Sequence, residues 1–343
     1  MKKGYKSLIA MLMAIVMCLA FTACGSSSEP AEEDNATVAE ALGEHNFVAS
    51  SEGEAVDGYF TIPASRDENV RIPVGVTMPE VAEGEKAPVV VLVHGFLGSK
   101  DEEFGFFAND TDEQYDYDSI AAALLEKGIG TIRVDQAGSG ESTDDFTNYT
   151  PENSVSDIQD AYDYCMANFP FDAEKVGLVG WSMGGKVGPA FASKNTNIST
   201  MVLLNPAGDN GATSLETAAG CGLDLPLLQS KMEDGKVLNE VASGFVGKDI
   251  YMSQDFITQV EESKTGDEVK AFLEAGNKGL LLYGDKDSII NPETYKWLMD
   301  NTTIDTYCIE GMDHDLGLES ARPDFTQKVV AKTVEYCAEN LTK

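Results

Sequence analysis

The sequence predicts an α/β fold: a mostly parallel, doubly wound sheet covered by helices on both faces, with a cap inserted late in the chain. Three observations carry this. From residue 88 onward, short apolar strand patterns alternate with stretches of helical periodicity, the signature of strand–helix–strand units. Pro88–His94 reads PVVVLVH, a continuous apolar run of the kind needed by a strand buried on both faces. Pro206–Lys278 then breaks the alternation between two strands. It is too long for a plain crossover and holds apolar pieces at Leu223–Leu228 and Phe256–Val260, so it reads as a folded insertion over the strand ends.

The elements follow in chain order. Lys2, Lys3 and Lys6 precede an uncharged apolar run from Leu8 to Phe21, shorter than the roughly 20 residues a spanning helix needs and suited to an export signal. Thr22-Ala23-Cys24 resembles a bacterial lipobox, which implies a signal over 1–23 and lipidation at Cys24; the alternative is an ordinary cleaved signal with an incidental Cys. Residues 24–45 are rich in Ser, Ala and Glu and read as an acidic tether, leaving 46–343 as the folded domain with its cap at about 206–278.

Tyr59–Pro63 and Arg71–Met78 flank a polar turn and predict an opening hairpin. Strands are then expected at Pro88–His94, Gly130–Val134, Lys175–Val179, Thr200–Leu204, Gly279–Tyr283 and Thr306–Ile309. Helices are expected at Ser119–Lys127, Asn153–Phe169, Met183–Ser193, Pro292–Met299 and Pro323–Leu341.

Composition narrows the function. Hydrophobic residues make up 43% of the chain, enough for a packed core and against wholesale disorder. A net charge of −34, from 58 acidic and 24 basic side chains, argues against nucleic-acid binding, which needs clustered Lys and Arg. An anionic bilayer would repel such a surface, so the lipid at Cys24 is the one membrane attachment expected. Without residues 1–23 the chain loses three Lys and no acid, and the charge becomes three units more negative. Cys165 and Cys337 share apolar helical faces and read as buried thiols; with Cys221 and Cys308 they leave up to two disulfides open. No CxxC or Cys/His cluster suggests a metal, and no cofactor is implied.

Ligands in sheets of this kind bind at the carboxyl ends of the strands. Gly180-Trp181-Ser182-Met183-Gly184 follows a strand, opens a helix and fits G-x-S-x-G. A sharp strand-to-helix turn pushes the Ser side chain outward, and Gly on each side removes Cβ atoms that would clash. The alternative is an ordinary Gly-rich βα turn. His94-Gly95-Phe96 follows the PVVVLV strand, so the backbone N–H groups of Phe96 and Met183 are the expected oxyanion donors, with His94 holding the loop. Of the three histidines, His45 falls in the tether and His94 in that loop, which leaves His314 as the base. Asp287, in Gly284-Asp285-Lys286-Asp287, is the expected acid partner, with Asp285 as the alternative. Phe104, Phe106 and Phe107 lie in the acidic stretch 102–118. They either line an acyl pocket or simply pack down.

The order Ser182, Asp287, His314, the oxyanion loop and the Asp135–Ser142 loop (DQAGSGES) together resemble the α/β-hydrolase superfamily over most of residues 57–343. Within it, HGFLGSKDE, TIRVDQAGSGES, GWSMGG, LLNPAG, LYGDKD and FVGKDIYMSQDF are most similar to bacterial cinnamoyl/feruloyl esterases and related serine carboxylesterases. The resemblance implies a serine esterase acting on small or aromatic acyl esters, hydroxycinnamates linked to polysaccharide among them. A serine peptidase or acyltransferase on the same fold, or a non-catalytic binding lipoprotein, are the alternatives.

Overall fold

The computed structural model describes residues 56–102, 106–107, 119–208, 222–290 and 292–343. The export signal, Cys24, the tether, Phe104 and Cys221 lie outside the described residues.

The sheet strands before the insertion are β1 (Val56–Ala64), β2 (Asp67–Met78), β3 (Ala87–Val93), β4 (Gly130–Val134), β5 (Phe171–Trp181) and β6 (Ile198–Leu204). A small pair, β7 (Lys236–Leu238) and β8 (Tyr251–Ser253), belongs to the insertion; β9 (Lys278–Gly284) and β10 (Asp305–Ile309) complete the main sheet. The eight strands stand in the order β1-β2-β4-β3-β5-β6-β9-β10. The β1–β2 hairpin and the β2–β4 pairing are antiparallel, and every pairing from β4 to β10 is parallel. After β3 the chain turns first to β4 on one side and then to β5 on the other. That reversal opens a crevice at the carboxyl ends of β3 and β5, where ligands bind in open α/β sheets.

The apolar runs divide by alternation. Val89, Val91, Val93, Ile132, Leu178, Met201, Leu203 and Leu281 face one core; Val90, Leu92, Val179, Val202, Leu204, Leu280 and Leu282 face the other. Both faces being covered, the central strands are dominated by apolar residues, and polar ones such as Thr131, Arg133 and Thr200 are themselves buried. On the second face pack α1 (Ile120–Leu125) and the closing helix α9 (Pro323–Leu341); on the first lie α2 (Pro151–Asn168) and α3 (Gly184–Lys194). Local chemistry sets the helix starts. The Ser119 Oγ accepts the Ala122 N–H, and the Thr150 Oγ accepts the Asn153 N–H with Pro151 at the first helical position.

The insertion carries α4 (Leu225–Ser230), α5 (Glu240–Val246), α6 (Gln254–Glu262) and α7 (Thr265–Glu274). Its Leu225, Leu228, Val237, Met252, Phe256 and Val260 join the first core rather than forming a separate one. Helix α7 packs on α3, as a crossover helix would. Helix α8 (Pro292–Asn301) links β9 to β10.

The largest difference from the sequence reading is β5. The expected strand is Lys175–Val179, but pairing begins at Phe171, opposite Ala87, and runs to Trp181. The polar stretch Asp172–Lys175 hides the start, because it lies at the solvent end of the strand. Cys165 and Cys337 are fully buried thiols as expected, and Cys308 is free and exposed.

Leu203, wholly buried under α/β packing, should report on this core. Leu203→Ala is expected to cost about 2–5 kcal/mol, read as a lower midpoint in urea unfolding with an unchanged slope.

Candidate active site

Strand β5 ends in a turn that no ordinary residue favours. Ser182 has φ +53°, in the left-handed region where a non-Gly residue is strained. The turn is held on both sides: the Ser182 N–H donates to the Leu204 carbonyl at 3.0 Å, and its own carbonyl accepts from Gly185 at 2.9 Å and Ala207 at 2.8 Å. A Cβ at Gly184 would lie 2.0 Å from the Val93 carbonyl oxygen, and one at Gly180 would lie 2.4 Å from that of Gly184. Both glycines of the G-x-S-x-G pattern are therefore steric requirements.

The structure brings the three expected side chains together. The Ser182 Oγ lies 2.9 Å from His314 Nε2, and His314 Nδ1 lies 3.0 Å from Asp287 Oδ2. A serine hydroxyl so close to an imidazole whose other nitrogen faces a buried carboxylate can lose its proton and act as a nucleophile in acyl transfer. Asp287 Oδ1 accepts the N–H groups of Ile289 and Ile290 at 2.9 and 2.8 Å. Burial alone would raise the Asp287 carboxyl; the bond to His314, its charge, the Ile290 N–H and the Tyr295 hydroxyl outweigh it and hold the group below the usual carboxylate range. Asp285 takes another part: its Oδ1 accepts the Gly311 N–H at 2.5 Å and braces the loop that follows β10 against the β9 turn.

The loop after β3 is pinned from beneath. His94 is fully buried; its Nδ1–H donates to the Gly95 carbonyl at 2.8 Å, and its Nε2 accepts the Gln136 N–H at 3.1 Å. An amide N–H can only donate, so the second bond fixes the neutral tautomer. Burial lowers the His94 value to about 4. This places His94 in support of the loop, away from proton transfer. Nearby, Glu102 Oε1 accepts the Gly95 N–H at 2.6 Å. The next N–H, that of Phe96, and the N–H of Met183 donate to no protein acceptor among the described residues, as an oxyanion site requires.

The DQAGSGES loop is a brace as well. Asp135 accepts the N–H groups of Lys100 at 2.5 Å and Glu141 at 2.9 Å, and Gly138 and Gly140 take positive φ. An aromatic cluster sits beside the oxyanion loop: Phe96 lies edge-on to Phe146 and Tyr149, each at 5.7 Å, and 6.1 Å from Phe256 of α6. Phe106 and Phe107 do not line a pocket. Both are fully buried, and Phe106 meets Trp181 edge-on at 5.8 Å, so they pack down beneath the nucleophile strand.

Two residues escape the sequence reading. Asn205 follows β6 and clasps the His314 loop: its Oδ1 accepts the Gly284 N–H at 2.9 Å, and its Nδ2 donates to the carbonyls of Asp313 and His314 at 3.1 and 3.3 Å. Its signal is the LLNPAG stretch, where a buried Asn ends an apolar strand. Tyr295 of α8 donates to Asp287 Oδ2 at 2.5 Å, and no sequence pattern marks it.

Below pH 6.5 the unfolded chain takes up a proton at His94 that the folded chain refuses until about 4. Stability from this group should fall across that window as pH drops, by on the order of 3 kcal/mol. The matching NMR observation is a His94 ring that does not titrate between about pH 8 and about pH 5. Asn205→Ala strands the buried Gly284 N–H, so a loss of about 1–3 kcal/mol in denaturant melts is expected.

The comparisons agree with this architecture. Residues 88–231 match the family model described as the alpha/beta hydrolase fold. A stretch of 106 residues is 31% identical to an Escherichia coli protein described as an uncharacterized 31.7 kDa protein in the traX-finO intergenic region, and it spans about a third of each chain. Among solved structures, Est1E from Butyrivibrio proteoclasticus with ferulic acid bound superposes with a TM-score of 0.62 at 18% identity, covering 83% of this chain and all of that one. A Mycobacterium tuberculosis puromycin-hydrolyzing peptidase superposes with a TM-score of 0.56 at 17% identity, covering 87% of this chain and 40% of that one. Sheet order, nucleophile turn and these likenesses together show that the chain has the α/β-hydrolase fold.

Proposed function

We propose that the chain is a serine hydrolase that cleaves carboxylic esters through an acyl-enzyme, with small or aromatic acyl groups, feruloyl and cinnamoyl among them. The observation that carries this is the unbroken relay from Ser182 Oγ through His314 to Asp287, at 2.9 and 3.0 Å. Ser182 gives its proton to His314 Nε2 as Oγ bonds to the ester carbon. The carbonyl electron pair moves to oxygen, where the N–H groups of Phe96 and Met183 receive the charge; one such donor lowers the barrier by about 3 kcal/mol. Asp287 stabilises the imidazolium and fixes its orientation. Collapse expels the alkoxide, which takes the proton from His314, and water then releases the acid by the same steps.

Phe96, the partly exposed ring beside the oxyanion loop, supports a flat acyl group, with the buried rings of Phe146, Tyr149 and Phe256 packed behind it. The ferulic acid bound to Est1E lends the same direction by analogy. The likeness to the puromycin-hydrolyzing peptidase keeps amide hydrolysis as a second reading. On the reading of residues 1–24, the enzyme works outside the cytoplasm on a lipid anchor at Cys24. No helix among the described residues is long and apolar enough to cross a membrane.

The test is a hydrolysis panel on the purified chain: p-nitrophenyl acetate, longer p-nitrophenyl esters, methyl ferulate, and an aminoacyl or prolyl amide. Ester turnover with preference for methyl ferulate is expected; amide turnover alone would favour the peptidase. Ser182→Ala should lower kcat/KM by about 10⁴-fold or more with the fold retained, and full activity in that variant would end the mechanism. Because attack needs neutral His314, kcat/KM should fall as pH is lowered and that ring takes up a proton.

A further inference from the structure

We infer that Tyr295 is a positioning residue that sets the basicity of His314 by sharing the carboxylate oxygen to which His314 is bonded. The inference rests on the serine-hydrolase reading and adds a fourth member to its relay.

The geometry is specific. Asp287 Oδ2 accepts from His314 Nδ1 at 3.0 Å and from the Tyr295 hydroxyl at 2.5 Å. The other oxygen is occupied by the amides of Ile289 and Ile290. The carboxylate is therefore held by four donors, two of them on the oxygen that faces the base. An O–H donor to an ionised acceptor makes a short, strong bond, roughly 2.5–2.7 Å long. It withdraws negative charge from Oδ2 and so weakens the attraction that this oxygen exerts on the imidazolium proton.

The hydroxyl has no freedom to leave. Tyr295 is 2% exposed, and its ring stands 5.1 Å from that of Tyr283 on β9. Burial, and next the Asp287 charge, keep the phenol protonated well above its ordinary range, so it donates at every pH at which the enzyme would work. The other ionisable groups around the relay are Asp313 and Asp315 on the His314 loop, Asp285 and Lys286 on the β9 turn, Tyr283 on β9, and Glu293 and Lys296 on α8. Asp313 is tied to backbone, accepting the N–H groups of His314 and Ser288 at 2.6 and 2.8 Å. Lys286 faces Asp285 at 3.3 Å, and Lys296 pairs with Asp300 at 2.5 Å. Removing the Tyr295 hydroxyl changes none of these charges.

The experiment compares Tyr295→Phe with the parent enzyme on its best panel ester. The phenyl ring stays and the hydroxyl goes, so the melting temperature reports whether the fold is kept. The acid limb of kcat/KM is expected to move to higher pH, by about half a unit or more. KM should change little, because Tyr295 touches Asp287 rather than substrate. Replacing Tyr295 with 3-fluorotyrosine, a near-isosteric and stronger donor, should move the limb the opposite way. The same titrations, followed by NMR on the His314 ring in the Ser182→Ala background, read the effect without turnover. If both replacements leave the acid limb and the His314 titration where the parent has them, Tyr295 is only packing and the inference falls. Absence of any ester or amide turnover in the parent would instead count against the serine-hydrolase reading, with the NMR titrations still deciding the role of Tyr295.

Discussion

The left-handed backbone at Ser182 is the constraint on which the rest of the structure depends. An L-residue in that conformation costs roughly 1–2 kcal/mol, so it persists only where its surroundings over-determine it. Here they form a ladder across the strand ends. The Ser182 N–H reaches the Leu204 carbonyl on β6, and the Asn205 N–H reaches the Leu282 carbonyl on β9. Asn205, itself at φ +39°, then spends its amide on Gly284 and on the Asp313 and His314 carbonyls. The bonds that hold Ser182 in its strained turn therefore also place His314, and a disturbance at β6 would reach both.

The acidic composition takes a particular form at these strand ends. Asp135, Asp285, Asp287, Asp313 and Asp315 all accept backbone N–H groups. Each closes a turn whose donors would otherwise lack partners, which is what short carboxylates do best in loops. His314 is thus ringed by acids of which one carboxylate meets its ring. The remainder build the loop that carries it. A net charge of −34 and a single carboxylate aimed at the base coexist because the other acids near the site are engaged locally.

Much of this is legible in the sequence, and the reasons are local. G-x-S-x-G, the His-Gly pair and the two loops after β9 and β10 each sit where an apolar run stops, so periodicity locates them. With three histidines in the chain, elimination can reach His314. The choice between Asp285 and Asp287 stays open in the sequence because both follow the same strand; only the path of the loop shows that Asp285 reaches Gly311. Asn205 and Tyr295 are illegible in role, since their partners lie about 79 and 8 positions away and meet them only through the sheet and helix α8. The start of β5 is lost for the opposite reason, because after Phe171 the stretch Asp172–Lys175 is polar and open to solvent, and the pattern of a buried strand is absent there.

On the proposed function, the fold separates the reacting groups from the insertion. Ser182, His314 and Asp287 stand at strand ends whose turns are locked by backbone bonds and by glycines that admit no side chain. Beyond the apolar side chains it adds to the first core and the packing of α7 on α3, the insertion meets this base at particular points: Phe256 packs on Phe96 and Tyr149, the Lys186 ammonium meets the Ser263 hydroxyl, and Gln259 accepts the Glu152 N–H at 2.9 Å. The first of these is the significant one. In the proposed reaction Phe96 supplies an oxyanion N–H from its backbone, while its ring belongs to the aromatic cluster that α6 completes. On that reading one residue joins the reacting groups to the insertion that packs behind its ring. A change at Phe256 can reshape the cluster without touching Ser182, His314 or Asp287, because their placement depends on bonds among the strand ends and on the Ala207 N–H at the very start of the insertion.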